Sequence, residues 1–529
     1  MGLLPDLIVK KAKIVTMNKD QPEAEAFCVW GGRIVAIGSN ETISKEFPKA
    51  KKVLELEGQF ICPGFNDTHT HLLAYAVKLK DIHLESVQSI QEALELVEKR
   101  ANETPKGAWL FGEGWDESNW KEKRYLTLKE LDRVAPEHPC YIRRVCGHLV
   151  AVNTLALKEL GISLNDPDLE LDPETGKPTG ILYDELINRL SKHPKLQRSQ
   201  EAYIEAVKIA CEYAHALGVT SVTDNLNLIS FKAYQVAKRN GSLKLRIAMN
   251  IPQKHFPVFL DLGFRTGLGD EFLRLEGVKI FTDGSLGSRT AALSEEYFDS
   301  ATTGEMYITE AEYQDLLKKA MAHGWQTATH AIGDRAIEFI LQAFERFNNA
   351  EAVRKGRHRI EHAEYLTDAQ LARANKLGLI LSMQPNFPGR WGKPGQLYEQ
   401  RLGPERYKLL NNFNKIFKTN ALVSFGSDNM PMSPLFGIWS IVTHPLEDIR
   451  VNLDEALYHY TLAGAYTTFE EDIKGSLEVG KVADFVILDK DLYSIKPETI
   501  KNVQVLATFI NGELVYSKEG FFNMNFSSC

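Results

Sequence analysis

Several things are missing from this sequence, and each absence narrows the reading. There is no run of about 18 apolar residues, so no membrane span is expected. The N-terminus, MGLLPDLIVKKAKIV, lacks a long apolar core followed by a small-residue cleavage site. There is no Cys-x-x-Cys. The six cysteines, at 28, 62, 140, 146, 211 and 529, are scattered and read as reduced residues of a cytoplasmic protein. Basic excess is also missing. A net charge of −8 argues against a broad nucleic-acid surface. No repeat at solenoid periods and no low-complexity tract interrupts the chain. Disorder is excluded by 44% hydrophobic and 25% charged residues.

What is present fits a large barrel with accessory domains, the natural prior for 529 residues. The segments DLIVKKAKIVTM, AFCVWGGRIVAIG and KKVLELEGQFI read as short strands, with Gly31-Gly32 as a hairpin turn. The C-terminal segments KVADFVILD and VQVLATFINGELVYS have the same character, with a turn at Asn511-Gly512. The two ends, 1–62 and 476–529, are expected to form one β-sandwich.

Between them strands and helices alternate, which signals βα units. Eight apolar segments end in polar or glycine residues: Phe60–Thr68, Val219–Asn225, Leu245–Ile251, Gly277–Asp283, Gln326–His330, Arg359–His362, Leu379–Gln384 and Leu422–Asp428. Eight is the number a closed (β/α)8 TIM-type barrel requires. Helices at 201–217, 310–323, 334–347 and 368–377 carry apolar residues near a 3.6-residue period. The expected barrel spans 63–74 and 196–475. About 150 residues separate the first two strands, far beyond an ordinary connection. Residues 75–195 are therefore expected to be an α+β insertion over the barrel mouth. The Asp- and Pro-rich stretch 165–178 reads as a loop within it.

Barrel enzymes place chemistry at the carboxyl ends of their strands. Those ends carry His69 and His71, Lys279, His330, His362 and Asp428. Along an extended segment alternate side chains share a side, so the two imidazoles of His69-Thr70-His71 can grip one divalent ion. Each residue has a plainer alternative. His330 fits a loop histidine, His362 a partner of Glu361 or Glu364, Asp428 a helix cap and Lys279 a paired core lysine. Six such groups on the ends of five different strands are hard to assign to chance.

The motifs GFNDTHTHL, GEGWDESNW, GHLVAVNTLAL, VKIFTDGSLGSR, THAIGDRA, RIEHAE, GSDNMPMSP and GSLEVGKVADFVIL, in this order, resemble the amidohydrolase superfamily. More narrowly they resemble its third sequence family, whose best-known activity is deformylation of N-substituted formamides. The resemblance runs over nearly the whole chain. It implies two divalent metal ions, with zinc best suited to imidazole and carboxylate ligands. His69, His71 and Asp428 would hold the deeper ion, and His330 and His362 the outer one. Lys279, carboxylated by carbon dioxide, would bridge them. The implied reaction is hydrolysis of an amide C–N bond by metal-activated hydroxide, with Asp428 shuttling the proton.

Trp115 and Asp116 in GWDESNW, His148 in CGHLVAVN and Arg289 in DGSLGSR are candidate substrate contacts; Arg289 alternatively pins its own loop. The partner expected is a small-molecule amide, with neither nucleic acid nor membrane, and a homodimer is compatible with the reading. A mononuclear deaminase of the same superfamily is the competing enzyme. It often carries a glutamate shortly after the fifth-strand histidine, whereas here Ala331-Ile332-Gly333-Asp334 follows. A non-catalytic relative that has lost its ligands is the third reading.

Overall fold

The polar residues that end the apolar segments mark where strands leave a parallel barrel. The computed structural model describes residues 4–146, 148–163, 166–190, 192–347, 349–521 and 526–528; Asn165 and Cys529 therefore lie outside the described residues. The chain forms two compact units, 1–75 with 204–529, and 76–203.

In the first unit, eight strands stand side by side in chain order. They are β1 (Phe65–Thr70), β2 (Val219–Asn225), β3 (Arg246–Pro252) and β4 (Leu273–Phe281). β5 (Gln326–Ala331), β6 (Arg359–His362), β7 (Ile380–Met383) and β8 (Leu422–Phe425) complete the set. Every pairing from β1 through β8 is parallel. Parallel sheets covered on both faces usually read as unbroken apolar runs. Here buried polar residues interrupt those runs, and they pair across the barrel. Thr68 Oγ1 lies 3.3 Å from Ser382 Oγ and accepts from Ser424 Oγ at 3.2 Å. Asn250 donates to Asn225 at 3.0 Å.

The seam between β8 and β1 is closed by contacts just past the strands. Asp428 N donates to His69 O at 2.8 Å, and Ser427 N to Asp67 Oδ1 at 2.9 Å. Gly426 allows this approach, because a Cβ there would lie 2.5 Å from His69 N.

The sequence treats Phe60–Thr68 as one strand, but the structure divides it. Phe60–Pro63 pairs with Lys13–Val15 and Phe485–Leu488, outside the barrel, and β1 begins only at Phe65. Gly64 is the crossing point, and a Cβ there would come within 2.2 Å of Thr220 Oγ1. Two sheets then form the β-sandwich. One is five-stranded, with Leu7–Lys10, Ala26–Trp30 and Arg33–Gly38 among its strands; the other is six-stranded and joins Lys13–Val15 to Phe485–Leu488 and Val505–Ile510. Phe485 bridges the two layers, edge-on to Phe27 at 5.0 Å and stacked on Phe509 at 4.4 Å. Both hairpin turns have two residues at positive φ, Gly31-Gly32 at 58° and 80° and Asn511-Gly512 at 54° and 71°, as tight two-residue hairpins require.

The second unit is α+β. Its sheet runs Ile181–Tyr183, Leu149–Val152, Cys140–Arg144, Leu110–Trp115, Ile82–His83. The helix Ile90–Glu103, capped by the Ser89 side chain, packs Leu94 and Val97 into that unit's core. Among the described residues no helix is long and apolar enough to cross a membrane.

Candidate metal centre

Local backbone geometry turns the strand ends inward. β1 ends at Thr70, and His69 and His71 both reach the carboxylate that follows β8. His69 Nε2 lies 3.7 Å and His71 Nε2 3.5 Å from Asp428 Oδ1. The ligand atoms of His69, His71 and Asp428 all fall within 4.8 Å of one another. Asp428 and Asn429 have φ of 51° and 58°, and His362 and Ala363 have 73° and 48°. Left-handed backbone at non-glycine residues is costly and collects at functional sites.

The other groups complete one cluster. Lys279 Nζ is 3.4 Å from His69 Nε2. The His362 ring centroid lies 4.8 Å from that of His69 and 4.5 Å from that of His330. The structure thus brings together all six residues predicted as ligands.

The remaining ring nitrogens are committed elsewhere, which leaves one nitrogen per ring for the site. His69 Nδ1 is paired with Glu361 Oε2, which itself belongs to a buried pair with Arg359 (Nε to Oε1, 2.6 Å). His362 Nδ1 donates to Gln384 Oε1 at 2.6 Å. His330 Nε2 donates to Gly284 O at 3.0 Å. Such outer partners fix ligand tautomer and orientation. Burial lowers His330 to about 3 and drives His69 and His362 well below the usual imidazole range; His71 is lowered too, first by burial and then by Lys279. All four are neutral at pH 7, the form that binds a metal. Burial pushes Lys279 below the ordinary lysine range and Asp428 above the ordinary carboxylate range. The donor set therefore fits a divalent ion: lone-pair nitrogens, a carboxylate and a lysine poised toward the neutral amine.

A cavity of about 280 Å³ opens beside this cluster. His330, His362 and Asp428 line it together with Phe387, Trp391 and Tyr398. Phe387, which follows β7, contributes to its apolar wall, whereas Met383 at the end of β7 is fully buried.

Other expectations are corrected. Trp115 is fully buried in the core of the second unit, its indole N–H given to Ile142 O at 2.9 Å and its ring stacked on Trp120 at 5.7 Å. It is a core residue of that unit, since no part of the ring is open to a ligand. Asp116 caps the turn Glu117–Asn119, accepting from Ser118 N at 3.1 Å, and meets Arg144 at 3.2 Å. Arg289 is held by Asp299 at 3.0 and 2.8 Å, so it pins its loop. His148 is exposed in the second unit. The alternatives for His362 also fail: Glu361 pairs with His69, and Glu364 with Tyr398 and Asn411. Glu361 and Gln384 were not singled out as ligand partners from sequence. Glu361 directly precedes a candidate ligand within a buried strand, and that is the signal that points to it. A second group within ligand reach, His83, Glu85 and Glu113, lies in the other unit and is largely exposed.

A strand-end cluster of neutral imidazoles, a carboxylate and a buried lysine on a (β/α)8 barrel is the arrangement of a metal-dependent hydrolase. The amidohydrolase family model matches residues 52–516, and the chain belongs to that family. It is 31% identical to amidohydrolase YtcJ of Bacillus subtilis (strain 168), over 96% of this chain and 98% of that protein. It is 29% identical to the N-substituted formamide deformylase of Arthrobacter pascens, over 98% of this chain and all of that protein. A metal-dependent hydrolase of Pyrococcus furiosus superposes with a TM-score of 0.77 at 28% identity, covering 93% of this chain and 99% of that one.

Proposed function

We propose that this protein hydrolyses the C–N bond of a small N-acyl or N-formyl amide with two zinc ions. The observation that carries the reading is the complete donor set, His69, His71, Lys279, His330, His362 and Asp428, gathered beside one cavity. His69, His71 and Asp428 would hold one ion and His330 and His362 the other. The ions, when bound, supply the Lewis acidity that makes water a nucleophile near neutral pH and polarises the scissile carbonyl.

The chain's own groups do the rest. Burial keeps a fraction of Lys279 as the neutral amine, whose nitrogen would add to carbon dioxide and lose a proton, giving a carbamate that would serve as a shared anionic ligand. Asp428 borders the cavity and reaches both His69 and His71, so it would take the proton of the attacking water and hand it to the departing amine. Phe387, Trp391 and Tyr398 offer an apolar wall that accepts an uncharged substituent and sheds water.

The convergence of only His69, His71 and Asp428 within 4.8 Å favours a second reading, a one-metal deaminase. An assay of N-formyl, N-acyl and cyclic amides beside aminated heterocycles, run with zinc, cobalt and manganese, separates the two. Release of a carboxylic acid and an amine supports the amidase; turnover confined to ring deamination rejects it.

A further inference from the structure

At the amino ends of the barrel strands, away from the metal centre, lies a cavity of about 790 Å³. That is within the range of small-molecule pockets, roughly 300–1,000 Å³. The amino face of such a barrel ordinarily serves stability, and an open groove of this size there adds nothing to it. Its floor is formed by Trp325 and Gln326 at the start of β5 and by His358 just before β6. Phe347 and Phe469 add two more aromatic rings.

The charged lining has one sign: Lys318, Lys355 and Arg274 contribute to the wall, and no carboxylate does. Lys318 has no ion-pair partner among the described residues. Lys355 meets only Glu351, at 2.7 Å, in an exposed pair of the kind that contributes little. Arg274 is already flanked by Glu276 at 3.3 Å and Glu470 at 3.7 Å, so Lys318 carries the unpaired charge and Lys355 a weakly paired one.

We propose that this cavity is a second binding site, for a small organic anion whose flat apolar ring lies against the half-buried rings of Phe347 and Phe469 and whose charge meets Lys318 and Lys355. A neutral ring would leave the lysines unanswered, and a bare inorganic anion would leave the aromatic wall wet. Four residue steps along β5 separate Gln326 from His330, about 13 Å at strand rise. The ligand is therefore not the substrate, and the site stands whether or not the amidase reading holds.

Calorimetric titration of the full chain with 2-naphthalenesulfonate tests this, with 2-naphthalenemethanol as the uncharged control. The expected result is one saturable site per chain for the sulfonate and at least tenfold weaker binding of the alcohol. Lys318→Glu with Lys355→Glu should weaken the sulfonate at least tenfold, and Ala352→Trp, which fills the cavity from its helix, should do the same. Matching melting curves would show that these variants are folded. His69→Ala with His71→Ala should leave the affinity unchanged. Absence of saturable binding, equal affinity for the alcohol, or loss of binding only in the histidine variant would overturn the proposal.

Discussion

Glu361→Gln separates the orientation of a metal ligand from the stability of the barrel. Both Glu361 and Arg359 are fully buried, and Glu361 serves two partners at once, Arg359 Nε and His69 Nδ1. Glutamine can still accept one of those hydrogen bonds but carries no charge. Arg359 would then lose its counter-charge and keep only neutral acceptors, Thr68 O at 3.2 Å and at most the new amide oxygen, while its Nη1 already has no partner. Orphaning a buried charge of this kind costs about 3–5 kcal/mol. Loss of the carboxylate behind a ligating histidine typically costs about 10–100-fold in metal affinity. Urea unfolding of the metal-free protein should report the first effect, and competition with a chelator the second. The double variant Arg359→Met with Glu361→Gln removes the orphaned charge as well. It should regain much of the stability and none of the metal affinity. If Glu361→Gln binds zinc like the wild type, the argument that Glu361 sets His69 for a metal is wrong.

Three further outcomes follow from the same geometry. Asp428→Asn should keep the fold and most of the metal while kcat falls by about 10²–10⁴-fold, read in steady-state kinetics on a good amide. Lys279→Ala should lose activity and much of its metal, with partial rescue by added short-chain carboxylic acids that can occupy the bridge; full activity without them would remove the bridging role. His358 is 1% exposed, and burial lowers its pKa to about 4 from the ordinary imidazole value of 6.5. Below pH 6.5 the unfolded chain takes up a proton that the folded one refuses until about pH 4, so this contribution is present above 6.5 and lost as pH falls. The stability advantage of wild type over His358→Gln should shrink by about 2 kcal/mol between pH 7 and pH 5 in urea titrations.

The barrel was legible because each of its strands ends a buried apolar run with a polar group, as in RIEH or LVSFGSD. The ligand set was legible for the same reason. What escaped was whatever depends on a long-range partner. Strand alternation assigns Glu361 and His362 to opposite faces, yet the positive φ of His362 swings its imidazole to the same mouth. The crossing at Gly64 was invisible because Phe60–Pro63 and β1 run on without a break in sequence and are both buried; only Thr220, far along the chain, excludes a side chain there. Trp115 looked like a binding residue because its motif is rich in aromatic and acidic residues. Its indole N–H instead finds Ile142 O, on a neighbouring strand of the same unit. Leu149–Val152 lies inside a motif read for its histidine, and its role as a strand beside Cys140–Arg144 follows from pairing that sequence alone does not display.

The most direct test of the account is the number of metal ions per chain. Elemental analysis of the full-length protein, purified without chelator and then equilibrated with zinc, should find two per chain. Lys279→Ala and His330→Ala with His362→Ala should each fall below that number. One ion per chain in the wild type would favour the deaminase reading, and none would contradict the metal centre itself.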